Sequence, residues 1–187
     1  MEASGLINDV VLDCARRNLR NRVAALDNVQ LGRIIRRDFS FEQIRAGVDA
    51  RQVREWVTPL LGGDIHCAAI YRLTVNNQDG ANRLRLAFEE YVPPDGVKLA
   101  QNNGVAGSRT IYVGSSRSII QRLPQHLNDC AAGTYALKMR RWCPNAENGL
   151  NVEVTAVRGD LDAALVQDLE DALWTRSRPM FGKFGAR

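Results

Sequence analysis

Arg122 and His126 stand four residues apart at the end of the run IYVGSSRSIIQRLPQH, which extends from Ile111 to His126. Side chains four apart on a helix share one face, so this pair could address a single phosphate together. Arginine brings a planar fork of donors that matches phosphate oxygens, and its charge is permanent. Two such residues make half a site, and the rest must come from other segments of the chain.

The elements that would position them are legible on both sides. TIYV from Thr110 reads as a short β-branched strand, Gly114-Ser115-Ser116 as a turn, and a helical segment follows from about Ser118. Residues 66–75, HCAAIYRLTV, read as a mostly buried strand, and RLRLAF from Arg83 alternates like a half-exposed one. A polar, arginine-containing stretch runs to Trp142. NVEVTAV from Asn151 alternates as a further strand, and Asp160 stands ready to cap a final helix through about Thr175. The tail, RPMFGKFGAR, is glycine-rich and irregular.

The first sixty residues read as helices. Leu6, Ile7, Val10, Val11 and Cys14 recur at helical spacing, with an arginine-rich continuation through Arg22 to Leu26. Ser40 and Gln43 occupy capping-box positions before a short helix ended by Gly47. Asp49 can cap the next helix, which runs to about Val57 before Thr58-Pro59 stops it. The pair Gly62-Gly63 marks the expected boundary between a helical extension, residues 1–63, and a mixed domain, residues 64–187.

Composition narrows the classes. A chain of 187 residues can bury a core without disulfide or metal staples, and 45 % hydrophobic with 25 % charged residues is ordinary for a soluble protein. The opening MEASGLINDVV has no basic leader region and no later segment approaches a membrane span, so a cytoplasmic protein is expected. Net charge is +4, compatible with a polyanionic partner without requiring one. Lys98, Lys138 and Lys183 are the only lysines among 25 basic residues, so the rest is arginine, suited to phosphates and guanine edges. Cys14, Cys67, Cys130 and Cys143 form no C-x-x-C pair. Zinc held by His126, Cys130 and Cys143 is conceivable, but buried reduced thiols are the expectation.

Taken in order, AIY at Ala69 to Tyr71, YVG at Tyr112 to Gly114, Arg122 with His126, and LEDALW around Glu170 followed by RPMFG resemble the GIY-YIG nuclease family over roughly residues 66 to 182. The resemblance implies an α+β fold, with a small antiparallel sheet of about three strands flanked by helices. It also implies phosphodiester hydrolysis with one divalent metal, Mg²⁺ or Mn²⁺. On it, Tyr71 and Tyr112 match the two motif tyrosines, Arg122 the catalytic arginine, His126 its companion and Glu170 the metal-binding glutamate. Tyr71 would be the general base, which needs its phenol pKa of about 10 lowered by nearby positive charge. Tyr112 and His126 would hold the phosphate or the attacking water. Three features depart from the family's pattern: a long insertion between the two tyrosine motifs, which could reach DNA; Pro124 between Arg122 and His126, which should kink or delay the helix; and Gly182 where an asparagine is common.

FEQIRAGVDARQVREW, Phe41 to Trp56, has a helix-turn-helix cadence that would present Arg51, Gln52 and Arg54 to purine edges, and Arg117 is a further candidate for substrate contact. A packing or dimerising role is the other expectation for this extension. The leading expectation is a metal-dependent DNA endonuclease of restriction type, with a homodimer favoured if both strands are cut. The alternatives are an inactive nucleic-acid-binding regulator on the same fold, a repair or mobile-element nuclease, and a structural module that assembles with a protein partner.

Overall fold

The computed structural model of the chain describes residues 7–64, 66–159 and 161–185. The chain folds as α+β. In order, its elements are α1 (Asp9–Asp27), β1 (Gln30–Ser40), α2 (Phe41–Ala46), α3 (Ala50–Leu61), β2 (Ala68–Val75), α4 (Gln78–Glu90), β3 (Thr110–Ser116), α5 (Ile119–Leu127), β4 (Gly149–Arg158) and α6 (Ala163–Ser177), with a 3₁₀ turn at Met139–Arg141. The sheet is antiparallel, in the order β1-β4-β2-β3. Helices flank it, and α1 is an N-terminal helix.

The strand period sorts side chains between two faces. Ala69, Tyr71, Leu73 and Val75 of β2 lie level with Leu150, Val152, Val154 and Ala156 of β4, and all are core residues. The apolar residues of α2, α3, α4 and α5 join this core. The second face is largely polar: Glu153 binds both Arg36 and Arg72, and Asn151 donates to Asp38. There α6 lies against β3 and β2, its Leu173 sharing a groove with Ile34 and Ile70.

Several helix ends follow local chemistry. The Ser40–Gln43 capping box forms in full, Gly47 ends α2 at φ +107°, and Asp49 caps α3 through the Arg51 N–H. Helix α3 continues past Thr58 and Pro59 to Leu61, closing on Gly62 in the left-handed region. Proline near a helix end costs a single backbone bond, too little to stop this one. The capping residue of α6 is Asp162, which accepts from the Leu165 N–H at 2.6 Å. Leu6 and Asp160, given helical roles from the sequence, lie outside the described residues.

Two segments correct the sequence-based expectation. Residues 30–40, expected to be helical, form β1, which makes the sheet four-stranded rather than three-stranded. β1 precedes Gly62-Gly63 and the other strands follow it, so chain from both sides of that point enters one sheet. The Leu31, Ile34 and Ile35 pattern carries a register shift between Leu31 and Ile34, which blurs the strand period. Residues 83–88, expected as a strand, lie within α4. RLRLAF satisfies period two by eye, but Asn77 caps the segment, Asp79–Arg83 and Arg85–Glu89 pair at helical spacing, and Ala81, Leu84 and Phe88 turn inward together.

The two conformations of that segment differ in a measurable way. A strand would place Leu84 and Leu86 on one face, whereas in α4 Leu84 is fully buried and Leu86 is 47 % exposed. Leu84→Ala is therefore expected to destabilise by about 2–4 kcal/mol, and Leu86→Ala by less than about 1 kcal/mol. Urea unfolding of both variants measures this, and equal losses would contradict the helix.

Candidate active site

Tyr71 and Gly114 face each other across β2 and β3, and Leu73 faces Tyr112. The two phenols run side by side on the core face, their rings 6.0 Å apart and 18° from parallel. Gly114 makes room for them. A Cβ on Gly114 would stand 2.6 Å from Tyr71 Oη and 2.8 Å from Tyr112 Cε1, so only glycine fits beneath the pair.

Helix α5 closes over these rings. It continues through Pro124 with no break, so Arg122 and His126 do share a face, and both approach the tyrosines. His126 is wholly buried. Its Nδ1 accepts from the Leu137 backbone N–H at 3.3 Å, which leaves the proton of a neutral ring on Nε2, 3.0 Å from Tyr71 Oη. Nε2 therefore donates to the phenol oxygen. With both nitrogens engaged, His126 has no lone pair for zinc, and the His126–Cys130–Cys143 site is set aside. The thiols also differ from expectation: Cys67 and Cys143 are buried, but Cys130 is half-buried and Cys14 exposed.

The electrostatics of the free protein run against the lowered phenol pKa that a base at Tyr71 would need. Burial pushes the Tyr71 phenol well above its usual value, a negative Tyr112 would push it further, and Arg122 only partly opposes this. Tyr71 is thus held protonated in the free protein rather than poised as a base. Burial, reinforced by the Arg122 charge, likewise drives His126 well below its usual value and keeps it neutral. At this depth His126 orients Tyr71 and does not reach an outside phosphate. Tyr112 is also raised by burial, but it is only half-buried and faces outward.

The outward side is a cleft of about 500 Å³, lined by Tyr112, Arg122, Glu170, Tyr135 and Lys183 together with Gln101 and its neighbours. Arg122 is anchored by the Gln125 side chain and the Tyr135 carbonyl. Glu170 is 8 % exposed and accepts from Ser115 Oγ at 2.6 Å. Burial pushes its carboxyl up, while Ser115 and Arg122 pull it back. Among the described residues no group of three or more His, Cys, Asp or Glu side chains is placed to cage an ion. A lone carboxylate with hydroxyl neighbours fits Mg²⁺, a hard ion that keeps most of its water, and does not fit an ion demanding several protein ligands. No family model, curated protein or solved structure matches the chain.

Tyr71, Tyr112, Arg122, His126 and Glu170 therefore converge, in two layers. Arg117, Arg51, Gln52 and Arg54 do not line the cleft. Arg117 donates to the Leu161 carbonyl, and Gln52 of α3 is held by Arg37. The insertion between the tyrosine motifs supplies α4 and one wall of the cleft, stitched to the tail by bonds from Asn103 N to Met180 O and from Gly182 N to Gln101 O. Gly182 sits on Tyr112 at φ +112°; a Cβ there would lie 3.1 Å from the ring, so an asparagine side chain has no easy place. Lys183, which sequence reasoning missed, follows directly. Its one signal was its rarity as a lysine in an arginine-rich chain.

The buried imidazole gives a pH signature. The folded pKa of His126 lies below its unfolded value of about 6.5, so the unfolded chain binds the extra proton. The stability from a neutral His126 is full above about 6.5 and is lost as pH falls. Thermal unfolding midpoints should drop on acidification below that value, and His126→Gln should flatten the drop. An equal drop in the variant would assign it elsewhere.

Proposed function

We propose that the protein is a DNA endonuclease of the GIY-YIG type, dependent on Mg²⁺ or Mn²⁺, that acts in the cytoplasm as a restriction enzyme. The observation that carries this reading is the convergence of Tyr112, Arg122 and Glu170 on one cleft, with Tyr71 and His126 packed directly behind them. These residues come from four separated elements, and their order along the chain is that of the resembled motifs.

Glu170 would hold the ion, which when bound would polarise a phosphate oxygen and acidify a water. Arg122 faces the position where charge builds on phosphorus. Its anchors at Gln125 and Tyr135 fix the guanidinium beforehand, so little reorganisation is needed as that charge develops. The Tyr112 hydroxyl, kept protonated by burial, donates to a phosphate oxygen or orients water. Tyr71 and His126 fix the ring and the guanidinium from behind. Lys183 at the mouth adds a flexible positive charge for a neighbouring phosphate.

A nucleic-acid-binding regulator on the same fold is the second reading. The depth of Tyr71, 1 % exposed, bears on it, because it leaves no motif tyrosine placed as the base that the resembled chemistry uses.

Supercoiled plasmid with Mg²⁺ separates the two. Metal-dependent nicking is expected, abolished by EDTA and reduced about 10²–10³-fold by Arg122→Ala, the usual loss for one preorganised donor, with Glu170→Ala at least as severe. Discrete fragments would identify restriction-type cutting. Lys183→Ala should leave kcat near that of the unsubstituted protein, weaken binding, and lower the salt dependence of binding by about one phosphate contact. Salt-sensitive binding with no cleavage under any metal tested would favour the regulator.

A further inference from the structure

Helix α1 is the least covered element of the fold. It has no buried residue along its 19 positions, and among the described residues an ion pair of Arg22 with Asp168 ties it to α6. Among the described residues, thirteen large apolar side chains are exposed, and six of these lie on α1. Four form a stripe: Leu12 at 42 % exposure, Leu19 at 60 %, Val23 at 61 % and Leu26 at 39 %. Their spacings of seven, four and three residues place them on one side of the helix, along a seam of coiled-coil type. A continuous apolar stripe left in water on an otherwise packed chain marks a contact surface.

The charges beside the stripe choose the occupant. Asp9, Asp13, Arg16 and Arg20 run along one flank of it at spacings of four, three and four residues, acidic first and basic second. A sequence that is acid-acid-base-base in one direction is complementary to itself read in the other. We infer that α1 is a homodimerisation helix, which pairs antiparallel with α1 of a second copy about a two-fold axis near Ala15. Leu12 then meets the partner's Leu19, Asp9 meets the partner's Arg20, and Asp13 meets the partner's Arg16. A parallel pair would set Asp9 level with its equivalent and Arg16 level with its equivalent, like against like. DNA would gain nothing from the two aspartates, whereas an isologous interface uses both signs. The intrahelical pair of Arg16 with Asp13 is exposed, so exchanging it for a partner's carboxylate costs little.

About this axis the two α1 helices overlap from Asp9 to Asn21, about 20 Å, with Leu12 and Leu19 at its apolar centre and Val23 and Leu26 beyond it. One such contact lies at the small end of stable interfaces, so association is expected to depend on concentration. The inference makes no use of the cleft. A chain that dimerises but cuts no DNA would sink the nuclease proposal and leave this one standing.

Sedimentation equilibrium over a concentration series tests it. The unsubstituted chain should pass from monomer to dimer, and Leu19→Glu should stay monomeric with an unchanged unfolding temperature, since the side chain is exposed. Asp9→Arg combined with Asp13→Arg should raise the dissociation constant about tenfold or more, and so should Arg16→Asp combined with Arg20→Asp. Mixing these two charge-reversed chains should restore a dimer containing one of each. A chain that is monomeric throughout, a dimer that survives Leu19→Glu, or a mixture that stays monomeric would each overturn the inference.

Discussion

The room left by Gly114 beneath two phenol rings is the constraint on which the rest of the site depends. Without a side chain there, Tyr71 and Tyr112 can point the same way from adjacent strands, and their oxygens can reach a common region under α5. Any other residue would force one ring out of its place. Once the rings are down, the Tyr71 hydroxyl is removed from water and must be met by protein groups, while Tyr112 keeps an edge on the cleft. His126 and Arg122, one helical turn apart, both donate toward the Tyr71 oxygen. The strand register therefore decides the facing side of α5, and α5 in turn directs Arg122 toward the cleft.

The depth of this cluster explains why its members divide into two kinds. Tyr71 and His126 are closed off from solvent, so burial holds each in its uncharged form and they serve as fixed dipoles. Arg122, Tyr112 and Glu170 lie nearer the surface and meet the cleft. A resemblance between short motifs cannot separate these layers, because it names residue types and order but carries no depth. The motifs alone therefore set His126 at the phosphate and Tyr71 as a base without indicating that both side chains are buried behind the cleft.

What was legible in the sequence was local. The caps at Ser40, Asp49 and Gly47 act within a few residues, and the strands β2, β3 and β4 are dense enough in β-branched and apolar residues to be recognised without partners. The central five residues were found because a strand-turn-helix segment carries three of them and the flanking motifs the other two. What was missed depends on distant chain. β1 is a strand because β4 offers it a ladder, and the register shift near Ile34 removes the alternation that would announce it. RLRLAF has a period-two pattern inside a helix whose identity is set by Asn77 and by ion pairs with Asp79 and Glu89 outside the hexapeptide. The cleft walls at Gln101 and Lys183 are irregular segments tied together by backbone bonds between residues some eighty positions apart, and no local pattern encodes these.

The charge state of the site follows from the same burial. Burial favours the protonated phenols and the neutral imidazole, and among the described residues Glu170 is the one acidic side chain lining the cleft, beside the Arg122 guanidinium. Before any ion binds, the cleft therefore offers N–H and O–H donors around a single carboxylate. An anionic ligand would meet N–H and O–H hydrogens on one side and the Glu170 carboxylate on the other. A site organised around a base would need the reverse, with a group relieved of its proton by solvent exposure or by unopposed positive charge. On the proposed reading, the proton taken from water must pass to a group outside the buried pair. The protein's own contribution is then to fix donors where negative charge will gather.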